Sequence, residues 1–242
     1  MGRAFEFRKE RKFKRWGHMA RVFTKIGKEI TIAVKQGGPD VTGNPRLRAL
    51  LQTARSENMP KENIERAIKR ASDKDQSDYK EVVFEGYGPH GIAVLVEAAT
   101  DNNNRTAGDV RSYFTKYGGS LGTTNCVSFM FDRKGVIVCE RSEKMTEDQA
   151  FELAINAGAD DVLVEEEVFE VYTAPTDMDT VKAELINNGA VIMSAEVEWL
   201  PQNMVTLNDE QLVKFRRMLD MFEENDDVQN VYHNVDLPDD ED

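Results

Sequence analysis

Residues 81–106 read EVVFEGYGPHGIAVLVEAATDNNNRT, and the periodicity of the chain changes at this stretch. Two apolar runs, EVVFEGY and GIAVLVEAA, flank Gly88-Pro89-His90-Gly91. Runs rich in Val and Phe on either side of a Gly/Pro turn predict a β-hairpin. The loop Asp101–Thr106 then opens a helix that runs to Tyr117 and stops at Gly118-Gly119. Thr106 and Asp109 have the T-x-x-D spacing of a capping box. The asparagines tolerate turn conformations, and Asp101 and the Asn side chains can bond loop backbone. None of this calls for Arg105. We therefore place Asn102, Asn104 and Arg105 at a mouth between domains, in contact with a polyanion or partner.

Upstream of the hairpin the spacing is helical. Met19, Phe23, Ile26, Ile30 and Ala33 step by three and four, which predicts an amphipathic helix from Trp16 to Gln36. Arg21, Lys25, Lys28 and Lys35 form a second stripe on it, and Gly37-Gly38-Pro39 ends it. Asn44 sits as a cap with Pro45 at the first helical position, followed by an apolar face of Leu47, Leu50, Leu51 and Ala54. Arg46, Arg48 and Arg55 lie off that face. A third helix starts near Pro60, with Lys61 at its beginning; Ile64, Ala67, Ile68 and Ala71 line it, and Arg66, Lys69 and Arg70 point away. Three helices with short connections predict a small bundle. Residues 72–79 read as a polar linker.

Downstream, CVSFMF and GVIVCE read as strands separated by a turn at Asp132-Arg133-Lys134-Gly135. Residues 135–199 run strand, helix, strand, strand, helix, strand. Thr146 with Gln149 marks one helix start, and Gly158 and Gly189 mark helix ends. This β-α-β-β-α-β order is that of ferredoxin-like folds. A helix over 207–224, capped by Asn208, and a last strand, VQNVYHNV, follow. The economical topology is α+β with three domains. Residues 1–79 hold a basic arm, the helical bundle and a linker. Residues 80–134 with 205–242 form an α/β middle domain. Residues 135–204 form an inserted ferredoxin-like acidic domain.

The chain has 242 residues and a formal charge of −13, and the charge is unevenly spread. Residues 1–75 carry 19 Lys/Arg against 9 Asp/Glu, a balance of +10, and the remainder carries −23. Such asymmetry points to a polyanion-binding segment, because binding follows the local field rather than the sum. The arm adds Arg8, Lys9, Arg11, Lys12, Lys14 and Arg15 among Phe5, Phe7 and Phe13. Residues 136–205 carry −13 and should repel phosphates, with Glu165-Glu166-Glu167 as a solvated strand edge. Contacts through the arm and bundle would be mainly to phosphate, salt-dependent and poor in sequence information.

The residues supply no catalytic centre. His18, His90 and His233 are far apart, and no Walker, dinucleotide or G-x-S-x-G fingerprint occurs. Cys126 and Cys139 suit neither a disulfide framework nor a metal knuckle. No apolar run is long enough for a bilayer, and the N-terminal segment lacks the apolar centre of a secretory signal. We expect no enzyme, cofactor, metal, membrane association or small-molecule substrate.

FTKIGKEITIAVKQGG, NPRLRALLQTARSENMPKENIERAIKRA, FEGYGPHGIAVLVEAATDNNNRT and the later Gly-Gly-Ser-Leu-Gly together resemble the YebC family, whose mitochondrial relatives are translational activators of cytochrome oxidase. The resemblance runs from about Trp16 to the C-terminus. It implies a helical bundle, an α/β domain and an inserted ferredoxin-like domain. It also implies a cytoplasmic, DNA-binding transcriptional regulator, or alternatively a ribosome-associated factor that binds ribosomal RNA and eases translation of proline-rich stretches. Asp101, Asn102, Asn104, Arg105 and Thr106 form the signature loop of the resemblance. Two departures stand out: the opening MGRAFEFRKERKFKRWGHMA replaces a Gly-His-Ser-Lys-Trp-like segment, and the loop has Asn103 where arginine is frequent.

Overall fold

A computed structural model describes residues 19–73, 78–141 and 146–237. The basic arm, with Arg8, Lys9, Arg11, Lys12, Lys14 and Arg15, lies outside the described residues. The described chain is mixed α and β and forms two compact units. One holds the residues up to Ser128 and from Met204 onward; the other is Phe129–Asn203.

The first unit begins with helices α1 (Met19–Gly37), α2 (Pro45–Ser56) and α3 (Lys61–Ser72). Their apolar stripes meet in a core of Val22, Ile26, Ile30, Ala33, Leu47, Ala54, Met59 and Ala67. Asn44 caps α2 as the sequence predicts. Its Oδ1 accepts from the Leu47 amide at 3.0 Å, and its Nδ2 donates to the carbonyls of Ala33 and Gly38. One buried amide thus closes the helix start and fastens α1 to α2, which makes its loss costlier than the roughly 1 kcal/mol of an ordinary cap.

The hairpin follows. Strand β1 (Lys80–Tyr87) pairs antiparallel with β2 (Ala93–Thr100) from Lys80↔Thr100 to Tyr87↔Ala93. His90 and Gly91 take left-handed conformations in the connection. Helix α4 (Asn103–Lys116) and the short β3 (Ser120–Leu121) come next. After the second unit, the chain returns as β8 (Val205–Thr206), α7 (Asp209–Glu223), β9 (Val228–His233) and β10 (Val235–Asp236). Strand β9 pairs with β2, so the sheet order is β3-β1-β2-β9. Helices α4 and α7 cover one face through Val110, Phe114, Phe215, Met218 and Phe222. A capping box of Asn208 and Gln211 starts α7.

The second unit comprises β4 (Phe131–Glu140), α5 (Glu147–Asn156), β5 (Asp161–Val164), β6 (Val168–Thr173), α6 (Met178–Asn187) and β7 (Ile192–Pro201). The sheet order is β5-β6-β4-β7, with every neighbouring pair antiparallel. Ile137, Cys139, Phe169 and Val171 face Ala150, Ala154, Val181 and Leu185 of the two helices.

Four local expectations are corrected. Residues 132–135 are not a turn: β4 runs unbroken from Phe131 to Glu140 beside β7. Arg133 stacks over Trp199 at 5.7 Å, and Lys134 pairs with Asp160 at 2.7 Å. Gly135 serves close approach instead, because a Cβ there would stand 2.8 Å from Met178 Cβ and collide with Thr173. Second, CVSFMF is not a strand; Ser128–Met130 is a 3₁₀ turn, and the amide of Val127 is taken by a side chain described below. Third, Glu165-Glu166-Glu167 form the β5–β6 connection rather than a strand edge. Fourth, Thr106 and Asp109 do not cap α4. Asn102 does, accepting from the Arg105 amide at 3.1 Å, and Thr106 is buried in the first turn.

Candidate nucleic-acid interface

The described cations of the bundle fall into two groups. Several are held within the fold. Lys28 is buried, and its Nζ lies 2.5 Å from Asp227 Oδ1 and 2.9 Å from the Asp226 carbonyl. Lys25 donates to the Glu223 carbonyl. Arg46 pairs with Glu81 and bonds Gln36, and Arg48 donates to the carbonyls of Val41 and Thr42. Lys35 pairs with Asp78. Arg48 and Lys61 are exposed despite their partners, Lys61 pairing with Glu65 one turn on with most of its side chain in water. The others face water. Arg55, Arg66 and Lys69 are exposed, and Arg21 is half-exposed.

Helices α1 and α3 enclose an open groove between the two groups. Gly27, Thr31 and Ala67 are among its lining residues, and Thr31 Oγ1 donates to the Ala67 carbonyl across the helices at 3.1 Å. Phe23, Met59 and Tyr79 supply apolar and aromatic surface, and Asn63, Arg66, Arg70 and Lys28 supply polar groups. Tyr79 receives two cations: the Arg70 guanidinium lies 4.5 Å from its ring centre and Lys28 Nζ 5.4 Å. Arg70 is therefore half-buried against an aromatic face, whereas Arg66 and Lys69 on the same helix are not. Burial raises the Tyr79 pKa, with the carboxylates of Asp101 and Asp227 acting in the same direction against the opposing Arg70.

Asp227, at the entry to β9, joins the bundle to the sheet. Besides Lys28 it accepts from Arg105 Nη2 at 2.7 Å and from Thr106 Oγ1 at 2.7 Å. Thr100 Oγ1 stands 3.3 Å from the same oxygen, and the Asp227 carbonyl accepts from the Ala99 amide. Burial alone would raise the pKa of this carboxyl. Hydrogen bonds from Lys28, Arg105 and Thr106, with the charge of Lys28, outweigh burial and hold it at about 2. The Asn-rich loop is thereby placed at a seam within the first unit. Asn102 caps, Thr106 is buried on Asp227, and Arg105 bridges Asp101 and Asp227 with its side chain half in water. Asp101, Asn102 and Asn104 are exposed. No sequence signal marked Asp227, which lies in an acidic stretch, Glu223-Glu224-Asn225-Asp226-Asp227, that resembles solvated surface.

A second buried carboxylate also escapes sequence reading. Glu85 of β1 accepts from the amides of Asn125, Val127 and Ser128 at 2.8, 3.0 and 2.9 Å. Burial opposes its ionisation, but the three backbone donors win and its pKa is lowered.

Residues 3–74 match the family description "TACO1/YebC protein N-terminal domain", and residues 79–235 match "TACO1/YebC second and third domain". The chain belongs to the TACO1/YebC family. A relative from Parabacteroides distasonis is 53% identical over 236 residues, covering 97% of each chain, and is named a probable transcriptional regulatory protein. One from Acetivibrio thermocellus, with the same name, is 51% identical and covers 93% of this chain and 94% of its own. The crystal structure of a conserved hypothetical protein from Aquifex aeolicus superposes with a TM-score of 0.81 at 42% identity, covering 91% of both chains. Within this TACO1/YebC chain the groove residues and the seam come from both matched segments, since Lys28 lies in the first and Asp227 in the second.

Proposed function

We propose that this TACO1/YebC protein regulates gene expression by binding nucleic acid through its helical bundle, without catalysis, in the cytoplasm. The carrying observation is that Arg55, Arg66 and Lys69 face water on the bundle while residues 136–205 carry −13. A phosphate backbone is attracted to the first surface and repelled by the second. The names of the relatives favour DNA and transcription. Arg55, Arg66 and Lys69, with Arg21 and the arm cations Arg8, Lys9, Arg11, Lys12, Lys14 and Arg15, make the phosphate contacts. The exposed Arg48 and Lys61 extend that surface, and Lys25, Lys28, Arg46, Arg70 and the loop Asp101–Thr106 contribute by shaping it from behind. In this reading the chain has three modules: the helical bundle and the sheet domain, which share one compact unit, and an acidic ferredoxin-like module inserted into the sheet domain.

Crosslinking in cells followed by sequencing of the bound nucleic acid tests the proposal. Recovery of promoter DNA supports it. Recovery of ribosomal RNA, with co-sedimentation of the protein on ribosomes at physiological salt, replaces transcription by translation as the regulated step. Recovery of neither overturns nucleic-acid binding.

A further inference from the structure

The cations of the bundle do not all stand on a convex helix, as they would in a protein that lays a helix into a duplex groove. Arg66 and Arg70 instead line a concave groove whose other lining residues include Gly27, Phe23, Met59 and Tyr79. A duplex phosphate backbone needs an open cationic face and gains nothing from apolar surface at the base of a furrow. An unpaired nucleotide offers both a charged phosphate and an apolar, planar base, and it can enter a furrow. Tyr79 with Arg70 stacked 4.5 Å from its ring centre is a preformed aromatic–guanidinium platform. The Arg70 Nε is buried without a hydrogen-bond partner. A Cβ at Gly27 would make ordinary contact with Met59 at 3.9 Å and Ala67 at 4.0 Å, so a methyl fits there and anything longer projects into the groove.

We infer that the α1–α3 groove is a site for an unpaired nucleotide, its base against the apolar lining near Tyr79 and its phosphate on Arg66. This rests on the nucleic-acid reading above and specifies the class of nucleic acid: single strands, loops or bulges rather than regular duplex. The groove does not distinguish ribose from deoxyribose, so single-stranded RNA and single-stranded DNA are both tested.

The experiment is fluorescence anisotropy with the full chain and 12-nucleotide oligo(U), oligo(dT) and a mixed-sequence duplex of equal length, at two salt concentrations. Single strands bind roughly tenfold tighter than duplex, about the worth of one stacked base. Gly27→Leu then fills the groove without changing any charge; leucine's better helix propensity offsets part of any crowding against Met59 and Ala67, and a urea melt verifies that the variant is folded before its binding is read. It loses the single-strand preference and keeps the duplex affinity. Gly27→Ala, which fits at ordinary contact distance, retains the preference. Preference for one sugar over the other assigns the physiological ligand and leaves the site in place. Equal affinity of the native chain for single strand and duplex overturns the groove site but leaves nucleic-acid binding standing, as does a Gly27→Leu variant with unaltered preference. No binding to any oligonucleotide overturns both.

Discussion

Lys28 and Arg66 line the same groove, yet one faces a buried carboxylate and the other faces water. The seam around Asp227 gathers two cations and two threonine hydroxyls on one carboxylate, while the outer face of α3 leaves Arg66 and Lys69 exposed. The same residue types therefore stand in two settings. At the seam they hold the bundle against the sheet, and on the outer face they are available to a polyanion. The difference lies in desolvation. A buried charge that loses its partner is costly, whereas an exposed one barely affects folding.

The largest effect follows from removing the centre of the seam. Asp227→Ala leaves Lys28 buried without a counter-charge and strips Arg105 and Thr106 of an acceptor. A loss of about 3 kcal/mol or more is expected in urea unfolding. A loss below about 1 kcal/mol would place Asp227 among surface charges and erase the contrast. The pH dependence is the next largest. The folded pKa of about 2 lies below the ordinary 3.8, so the contribution of Asp227 is fully present above about pH 5. It fades as pH falls through 3.8 toward 2, amounting to about 2 kcal/mol at 1.36 kcal/mol per pH unit. Comparing the stability of the native chain and Asp227→Asn between pH 6 and pH 2 isolates it: the gap between the two should narrow in acid.

What the sequence made legible are features written in neighbouring residues. Asn44 before Pro45, Thr146 with Gln149, and the apolar runs around Gly88–Gly91 each carry their own local signal, and the observed elements follow them. What it hid depends on contacts remote in sequence. Lys28 belongs to the regular cationic stripe of α1 with Lys25 and Lys35, and nothing within ten residues indicates a carboxylate 199 positions away. Glu85 is one acid in an otherwise apolar strand, and nothing near it in sequence indicates that it is buried under the amides of Asn125, Val127 and Ser128. Residues 132–135 show the opposite failure. Asp-Arg-Lys-Gly has turn composition, but its glycine is demanded by α6 packing over β4. In the Asn-rich loop the cap was legible in kind and misplaced by four residues, because Asn102 and Thr106 are both competent caps and the buried hydroxyl contact with Asp227 selects between them.

A smaller effect sharpens the comparison at its boundary. Arg105 belongs to both regions, with one end on Asp227 and its side chain half in water. Arg105→Ala leaves Asp227 paired with Lys28, so stability should fall by no more than about 1 kcal/mol, the usual scale for a solvent-exposed pair. Measured beside oligonucleotide affinity, the variant separates the two roles. Reduced stability with unchanged affinity assigns the loop to the seam, and reduced affinity with unchanged stability assigns it to the outer surface.

The smallest expected effect on stability is the most informative about function. Reversing Arg66 and Lys69 together, Arg66→Glu with Lys69→Glu, touches two exposed side chains on α3 and should change unfolding free energy by less than about 0.5 kcal/mol at each site. Arg70 is left alone, because its reversal would place a carboxylate against the Tyr79 ring and confuse folding with binding. If these two cations meet phosphates, nucleic-acid affinity falls. The slope of log affinity against log salt also flattens, by about 0.7 for each lost contact to a single strand and about 0.9 for a duplex. The slope matters more than the affinity. A folding defect lowers the active fraction and shifts every point of the salt plot equally, whereas a lost phosphate contact changes its gradient. A well-folded double variant with native gradient would mean that the exposed cations of α3 are solvated surface and that the polyanion, if one binds, is held elsewhere.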